Sequence, residues 1–129
     1  IGFSWPGKKV ICFDGGGAFF MHAGGLALSA KCPNLIHIVL NNEVHDSVGG
    51  QATAARSLHL EAIAQSFGYQ SVVSTSSVSG IKEALFAMLC APQSAFLEIR
   101  CKPGARANLG RPNRTPRQNK ADFMAFLGG

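Results

Sequence analysis

Lys8-Lys9-Val10-Ile11-Cys12-Phe13 is a short apolar run that meets Asp14-Gly15-Gly16-Gly17, and this junction constrains the fold more than any other stretch. An apolar run, a glycine turn and a helix-like segment from Ala18 to Lys31 follow one another there. Leu35-Ile36-His37-Ile38-Val39-Leu40 is β-branched and apolar enough for a buried strand, and it stops at Asn41-Asn42. Strand, helix and strand in that order make a βαβ unit, whose two strands run parallel because the chain crosses over the sheet between them. Gly24-Gly25 inside the helical part costs roughly 1 kcal/mol per glycine relative to alanine. Close packing of the helix on the sheet explains that pair, and so does a break in the helix.

The alternation continues. Ser47 to Ala55 reads as a polar, glycine-containing loop, and Ser57 as the N-cap of a helix in which Leu60, Ile63, Ala64 and Phe67 repeat at helical spacing before Gly68 ends it. Ser71-Val72-Val73 is a short third strand. A helix from Ser79 to Ala91 carries Ile81, Leu85 and Met88 on one face, with Pro92 beyond it, and Ser94 to Cys101 is the fourth strand. Residues 102–114 form a loop. Thr115-Pro116-Arg117-Gln118 then makes a capping box with Pro at the first helical position, opening a last helix with Phe123, Phe126 and Leu127 as its apolar stripe. The fold class is therefore α/β, three-layered, a mainly parallel sheet with helices on both faces, and ligands of such sheets sit at the carboxyl ends of the strands. Gly15 to Gly17 and Asn41-Asn42 both lie there.

With 129 residues and 47% apolar content the chain reads as a single domain with a core of ordinary size. No apolar run approaches the ~20 residues that span a membrane, and the first residues show no signal-peptide pattern. Cys12, Cys32, Cys90 and Cys101 have no Cys-x-x-Cys spacing and read as reduced, structural cysteines of a cytoplasmic protein. From residue 100 onward seven basic residues face one acid, Asp122, whereas residues 1–99 hold five basic and six acidic residues. A basic arm can bind nucleic acid through phosphates. No aromatic lies between Arg100 and Arg117, which argues against a stacking platform for single strands and favours a solvated arm or one that attracts an anionic substrate or a subunit.

Consecutive glycines between strand and helix let the backbone approach a ligand, and the free N–H groups of the following helix favour an anion such as a diphosphate. Gly15-x-Gly17 lacks the third glycine of a dinucleotide fingerprint, because Phe20 stands in its place, and the second strand ends in Asn with no acid for a ribose. His45-Asp46, just after the Asn pair, combines an imidazole with a carboxylate and is the candidate catalytic pair for proton transfer; hydrogen bonding within the loop is the alternative. His22, His37 and His59 have no Cys or acidic partner at ligand spacing along the chain and read as packing or surface residues.

Asp14-Gly15-Gly16-Gly17 with Asn41-Asn42, twenty-five residues beyond Gly16, resembles the thiamine-diphosphate motif, a Gly-Asp-Gly after one strand and Asn-Asn at the end of the next. Asn41-Asn42-Glu43-Val44-His45-Asp46-Ser47-Val48-Gly49-Gly50-Gln51 and Lys102-Pro103-Gly104-Ala105-Arg106-Ala107-Asn108-Leu109-Gly110-Arg111-Pro112 are similar to the phosphonopyruvate decarboxylase family, of which sulfopyruvate decarboxylases are close relatives. The resemblance implies a C-terminal thiamine-diphosphate-binding domain over residues 1–129, without its first strand and helix and without the preceding pyrimidine-binding domain. It implies a small anionic 2-oxo acid as substrate, and either a homo-oligomer or a complementary pyrimidine-binding chain as partner. Carried across, Gly15, Gly16, Gly17, Ala18, Asn42 and Val44 face the cofactor, and Asn42 with the Val44 carbonyl holds Mg²⁺. Gly16 stands where the family has its metal-binding Asp, so Mg²⁺ and thiamine diphosphate are expected to bind weakly. A non-catalytic, self-associating remnant of the same fold is the alternative.

Overall fold

Parallel pairing of β1 (Val10–Gly15) with β2 (Leu35–Asn41) places Val10 beside Leu35 and Gly15 beside Leu40, so the glycine turn and the Asn pair emerge at one edge of the sheet. Between them the computed structural model, which describes residues 1–128, breaks the expected helix in two. Helix α1 (Gly16–Met21) starts inside the glycine run, His22 leaves helical geometry at φ −142°, a single 3-10 turn spans Ala23–Gly25, and α2 (Leu26–Ser29) completes the crossover. The His22 ring lies over Gly25, where a Cβ would stand 2.9 Å from its Cδ2. Of the two explanations for Gly24-Gly25, the break is the one realised.

After β2 the chain makes a small antiparallel hairpin, β3 (Val44–His45) with β4 (Gln51–Ala52), with one 3-10 turn between the strands at Asp46–Val48 and another after them at Ala54–Arg56, so the expected loop of residues 47–55 is in part regular. Two-residue strands are too short to show alternation in sequence. Gly49 and Gly50, at φ 118° and 76°, turn the hairpin in a region that favours glycine. Helix α3 (Leu60–Phe67) is preceded by His59 with no side-chain cap, because the Ser57 hydroxyl donates to the Ala54 carbonyl instead. Gly68, at φ 98°, ends α3 as expected.

Strand β5 (Ser71–Thr75), helix α4 (Val78–Cys90), strand β6 (Ala95–Arg100) and helix α5 (Pro116–Gly128) complete the chain. All four long strands are parallel, in the order β1-β2-β6-β5. One face of the sheet packs Val39 and Phe96 against Phe19, Leu26, Leu60 and Ala64 of α1 to α3; the other packs Ile36, Ile38 and Leu97 against Ala84 and Met88 of α4. The three-layer α/β reading is realised. Ser77 caps α4 through Gly80 N–H, and Thr115 and Gln118 form the reciprocal capping box of α5. The stripe of α5 is not buried, since Phe123 and Phe126 are 48% and 74% exposed; they border an open groove of about 570 Å³ with Ile1, Trp5 and Ile11. All four cysteines are free, and only Cys32 is buried, so the reading of the set as structural holds for Cys32 alone. Among the described residues no helix is long and apolar enough to cross a membrane.

Asn34 fastens the first eight residues to this frame. Its Nδ2 donates to the carbonyls of Gly2, Trp5 and Lys8 at 3.0, 2.8 and 2.7 Å, from a side chain that is itself buried. Asn34→Ala removes this shared donor, leaving the Gly2 and Trp5 carbonyls only their backbone N–H partners, and is expected to lower stability by ~1–3 kcal/mol in urea unfolding.

Candidate functional site

A buried carboxylate holds the carboxyl end of β2. Glu98, in the middle of β6 and 3% exposed, accepts from Asn41 Nδ2 at 2.7 Å and from the Ser74 hydroxyl at 2.5 Å. Asn41 Oδ1 in turn accepts the N–H of Glu43 at 3.0 Å, and the Asn41 carbonyl accepts the N–H of Cys101 at 2.9 Å. Glu43 sits in the left-handed region at φ 62°, which sends the chain back over the strand end into β3. Asn42 repeats the device: its Oδ1 accepts the Val44 N–H at 3.2 Å while its Nδ2 donates to Asp46 Oδ2 at 2.7 Å. The same Asp46 oxygen accepts the N–H of Gly104 at 2.9 Å, tying the start of the basic arm to the loop. Burial, and then the charge of Asp46, push the Cys101 thiol above its ordinary value.

The glycine run faces this loop at van der Waals distance. A Cβ on buried Gly16 would lie 2.9 Å from Asn41 Oδ1 and 3.2 Å from the Ala55 Cβ. A Cβ on Gly17 would collide with the His45 ring, whereas Gly15 has open space on that side and Ala18 is exposed. The structure thus brings Gly15, Gly16, Gly17, Asn42, Val44, His45 and Asp46 together at the carboxyl end of the sheet. Two of the three glycines are required by the side chains that pack on them. Glu98, Ser74 and Gly104 are the members of this site that the sequence did not flag.

The model of the thiamine pyrophosphate enzyme C-terminal TPP binding domain matches residues 1–99. The chain belongs to this family. It is 37% identical over 122 residues to a phosphonopyruvate decarboxylase of Streptomyces viridochromogenes, an alignment covering 93% of this chain and 31% of the relative. The corresponding protein of Streptomyces hygroscopicus is 36% identical, with 92% and 30% covered. The sulfopyruvate decarboxylase subunit beta of Methanothermobacter thermautotrophicus is 38% identical over 64 residues, 48% of this chain and 35% of that one. The chain spans about a third of the length of the curated relatives it matches. An X-ray structure from Mycobacterium smegmatis, assigned as a thiamin diphosphate-dependent enzyme, superposes with a TM-score of 0.62 at 21% identity, covering 74% of this chain and 18% of that one, which shows the fold.

For a TPP-binding domain the donor set is incomplete. Asn42 Oδ1 and the Val44 carbonyl are neutral oxygens, and Asn42 Oδ1 is already engaged by the Val44 N–H. Gly16 supplies no carboxylate and has no room for a side chain as packed. Asp14, two residues earlier, does not stand in for it, because its carboxylate faces the opposite strand and is bonded to His37 at 2.9 Å. The residues present do not fit a tight Mg²⁺ site, which wants oxygen ligands in near-octahedral order with carboxylate charge among them. Gly16→Asp is expected to cost ~1–3 kcal/mol in ligand-free urea unfolding, from overpacking against Asn41 and Ala55. Ala55→Gly in the same chain should recover part of that loss.

The TPP-binding domain also carries a second polar cluster. His37, read from sequence as a packing residue, is buried, with Nε2 on Asp14 Oδ2 and Nδ1 3.1 Å from the Tyr69 hydroxyl. Cys12 is its direct neighbour across the β1–β2 pair. The Cys12 thiol is raised by burial and by the charge of Asp14. Burial drives Tyr69 up to about 12 against the opposing pull of a hydrogen bond with Ser29. A phenol whose folded value exceeds its unfolded value near 10 adds stability that is complete below pH ~10 and disappears as pH rises through about 12. Tyr69 is the sole tyrosine. The phenolate absorbance of the native protein should therefore rise only toward pH 12, and that of the urea-unfolded chain near pH 10.

Proposed function

We propose that this chain is the diphosphate-binding domain of a thiamine-diphosphate-dependent 2-oxo acid decarboxylase acting on 3-phosphonopyruvate or a similar anionic oxo acid, with a weakened metal site and no turnover on its own. The observation that carries this reading is the 37% identity to a phosphonopyruvate decarboxylase over 93% of the chain, joined to a loop at residues 41–55 that closes over the glycine turn. Gly15, Gly16, Gly17 and Ala18 would offer backbone to the diphosphate, with Asn42 and the Val44 carbonyl toward the metal and His45-Asp46 toward the substrate. The basic arm from Arg100 supports an anionic substrate by raising its local concentration.

The site is completed in this reading by a pyrimidine-binding domain, supplied by a second copy or by a complementary chain, in the cytoplasm. Strand β1 lies at the sheet edge, and Ile11, Phe13 and Leu40 on the α4 side are 43%, 64% and 44% exposed, which supports a partner there. Nucleic acid is not part of the reading.

Buried Gly16, packed too closely for a carboxylate, favours a second reading in which the domain keeps the fold and self-associates without holding cofactor. Thermal unfolding with and without thiamine diphosphate plus Mg²⁺ separates the two, run on the natural chain and on Gly16→Asp with Ala55→Gly. Cofactor at 100 times its dissociation constant adds about 2.7 kcal/mol, a rise of roughly 5–15 °C for a domain of this size. The expected result is a rise in the double variant and little in the natural chain. A rise in both at micromolar cofactor refutes the weakened metal site, and a rise in neither leaves the remnant.

A further inference from the structure

We propose that Cys12, Asp14 and His37 form a binding site for a borderline divalent metal ion such as Zn²⁺, separate from the glycine turn, with three protein ligands and a fourth position open to a neighbouring cavity. The register of two parallel strands builds it. Cys12 lies opposite His37 in the β1–β2 pair, and Asp14, two residues further along β1, returns to the same face of the sheet. Cys12 Sγ, a carboxylate oxygen of Asp14 and a ring nitrogen of His37 all lie within 4.8 Å of one another. On a tetrahedral Zn²⁺ at ordinary Zn–S and Zn–N lengths, neighbouring ligand atoms stand roughly 3.3–3.6 Å apart. The Asp14–His37 separation of 2.9 Å has to open slightly and the wider ones to close, which side-chain rotation on fixed strands accomplishes.

The surroundings favour a metal over a simple buried ion pair. The three residues line one cavity of about 420 Å³ together with His22 and Ser29, so solvent or an outside ligand reaches the fourth position. His37 is 4% exposed, and its second nitrogen is held by the Tyr69 hydroxyl, the kind of outer contact that orients a ligating imidazole. Because the Asp14 carboxylate only accepts, the metal-free site places the ring hydrogen on Nε2 and lets Nδ1 accept from Tyr69. With the ion on Nε2 that hydrogen moves to Nδ1 and the Tyr69 oxygen accepts it, the phenol hydrogen turning away from the ring. The Cys12 S–H bond gives way to S–metal and its proton leaves to solvent. A thiolate, an imidazole and a carboxylate together select Zn²⁺ or its cobalt substitute over Mg²⁺ or Ca²⁺.

The test is titration of the metal-free protein with Co²⁺, followed by competition with Zn²⁺. One equivalent should bind and give tetrahedral visible bands plus a thiolate-to-cobalt charge-transfer band, both removed by Zn²⁺. Cys12→Ser, a change at an exposed side chain, should abolish the charge-transfer band, while Cys90→Ser and Cys101→Ser keep it. Tyr69→Phe should keep the band but weaken binding roughly 10–100-fold, and Asp14→Asn should weaken it at least as much. Absence of saturable Co²⁺ and Zn²⁺ binding in the natural chain overturns the proposal, and so does a charge-transfer band that survives Cys12→Ser.

Discussion

Everything at the carboxyl end of the sheet depends on one buried carboxylate. Glu98 is enclosed at the centre of β6, and a carboxylate so placed is costly unless its oxygens are hydrogen-bonded. Asn41 fills one oxygen and Ser74 the other, so β2, β6 and β5 are cross-linked by side chains at the level where the site begins. With Asn41 fixed, its remaining oxygen captures Glu43 N–H, and the left-handed turn at Glu43 aims the hairpin back over the glycine run. A network of this kind has few alternative arrangements, because each partner lost leaves another polar group unsatisfied. Removing the Asn41 amide would leave one Glu98 oxygen without a partner and release the Glu43 N–H at once.

The glycine run has a different meaning once its neighbours are known. From sequence alone, three glycines between strand and helix are a cradle for an anion. In the structure Gly16 and Gly17 admit side chains of the chain itself, Asn41 with Ala55 on one and the His45 ring on the other, and only Gly15 faces open space. The motif therefore survives as backbone shape while the charge that a metal needs is absent from it.

The elements were legible where a regular period ran long enough. Val10 to Phe13, Leu35 to Leu40, the helix ended by Gly68 and the Thr115 capping box all stand close to where the pattern put them. The hairpin at Val44 and Gln51 was not, since each strand is two residues long, and Ser57 was misread because its hydroxyl found a nearer carbonyl. The stripe of α5 showed which residues are apolar, and nothing in a single sequence shows whether a surface exists to receive them. The Cys12, Asp14 and His37 cluster was invisible for a geometric reason. Ligand spacing along a chain reveals sites on one helix or loop, whereas these residues meet through the register of two strands separated by a whole crossover. In the site itself the Asn pair and the His45-Asp46 pair were readable as a loop at the strand ends; the carboxylate beneath them was not, because Glu98 sits in an otherwise apolar strand with no local sign of its partners.

Asp46 reaches a residue 58 positions away, Oδ2 accepting from both Asn42 and Gly104. Both lone pairs of that oxygen are thereby taken, which leaves Oδ1 as the atom through which this carboxylate meets anything else. Any cation or donor that draws Oδ2 away must first displace the backbone of residue 104. The five basic residues that follow Gly104 leave the sheet at a point fixed by this hydrogen bond and by the Cys101 N–H on the Asn41 carbonyl, so the electrostatic potential over the strand ends depends on whether that leash is fastened.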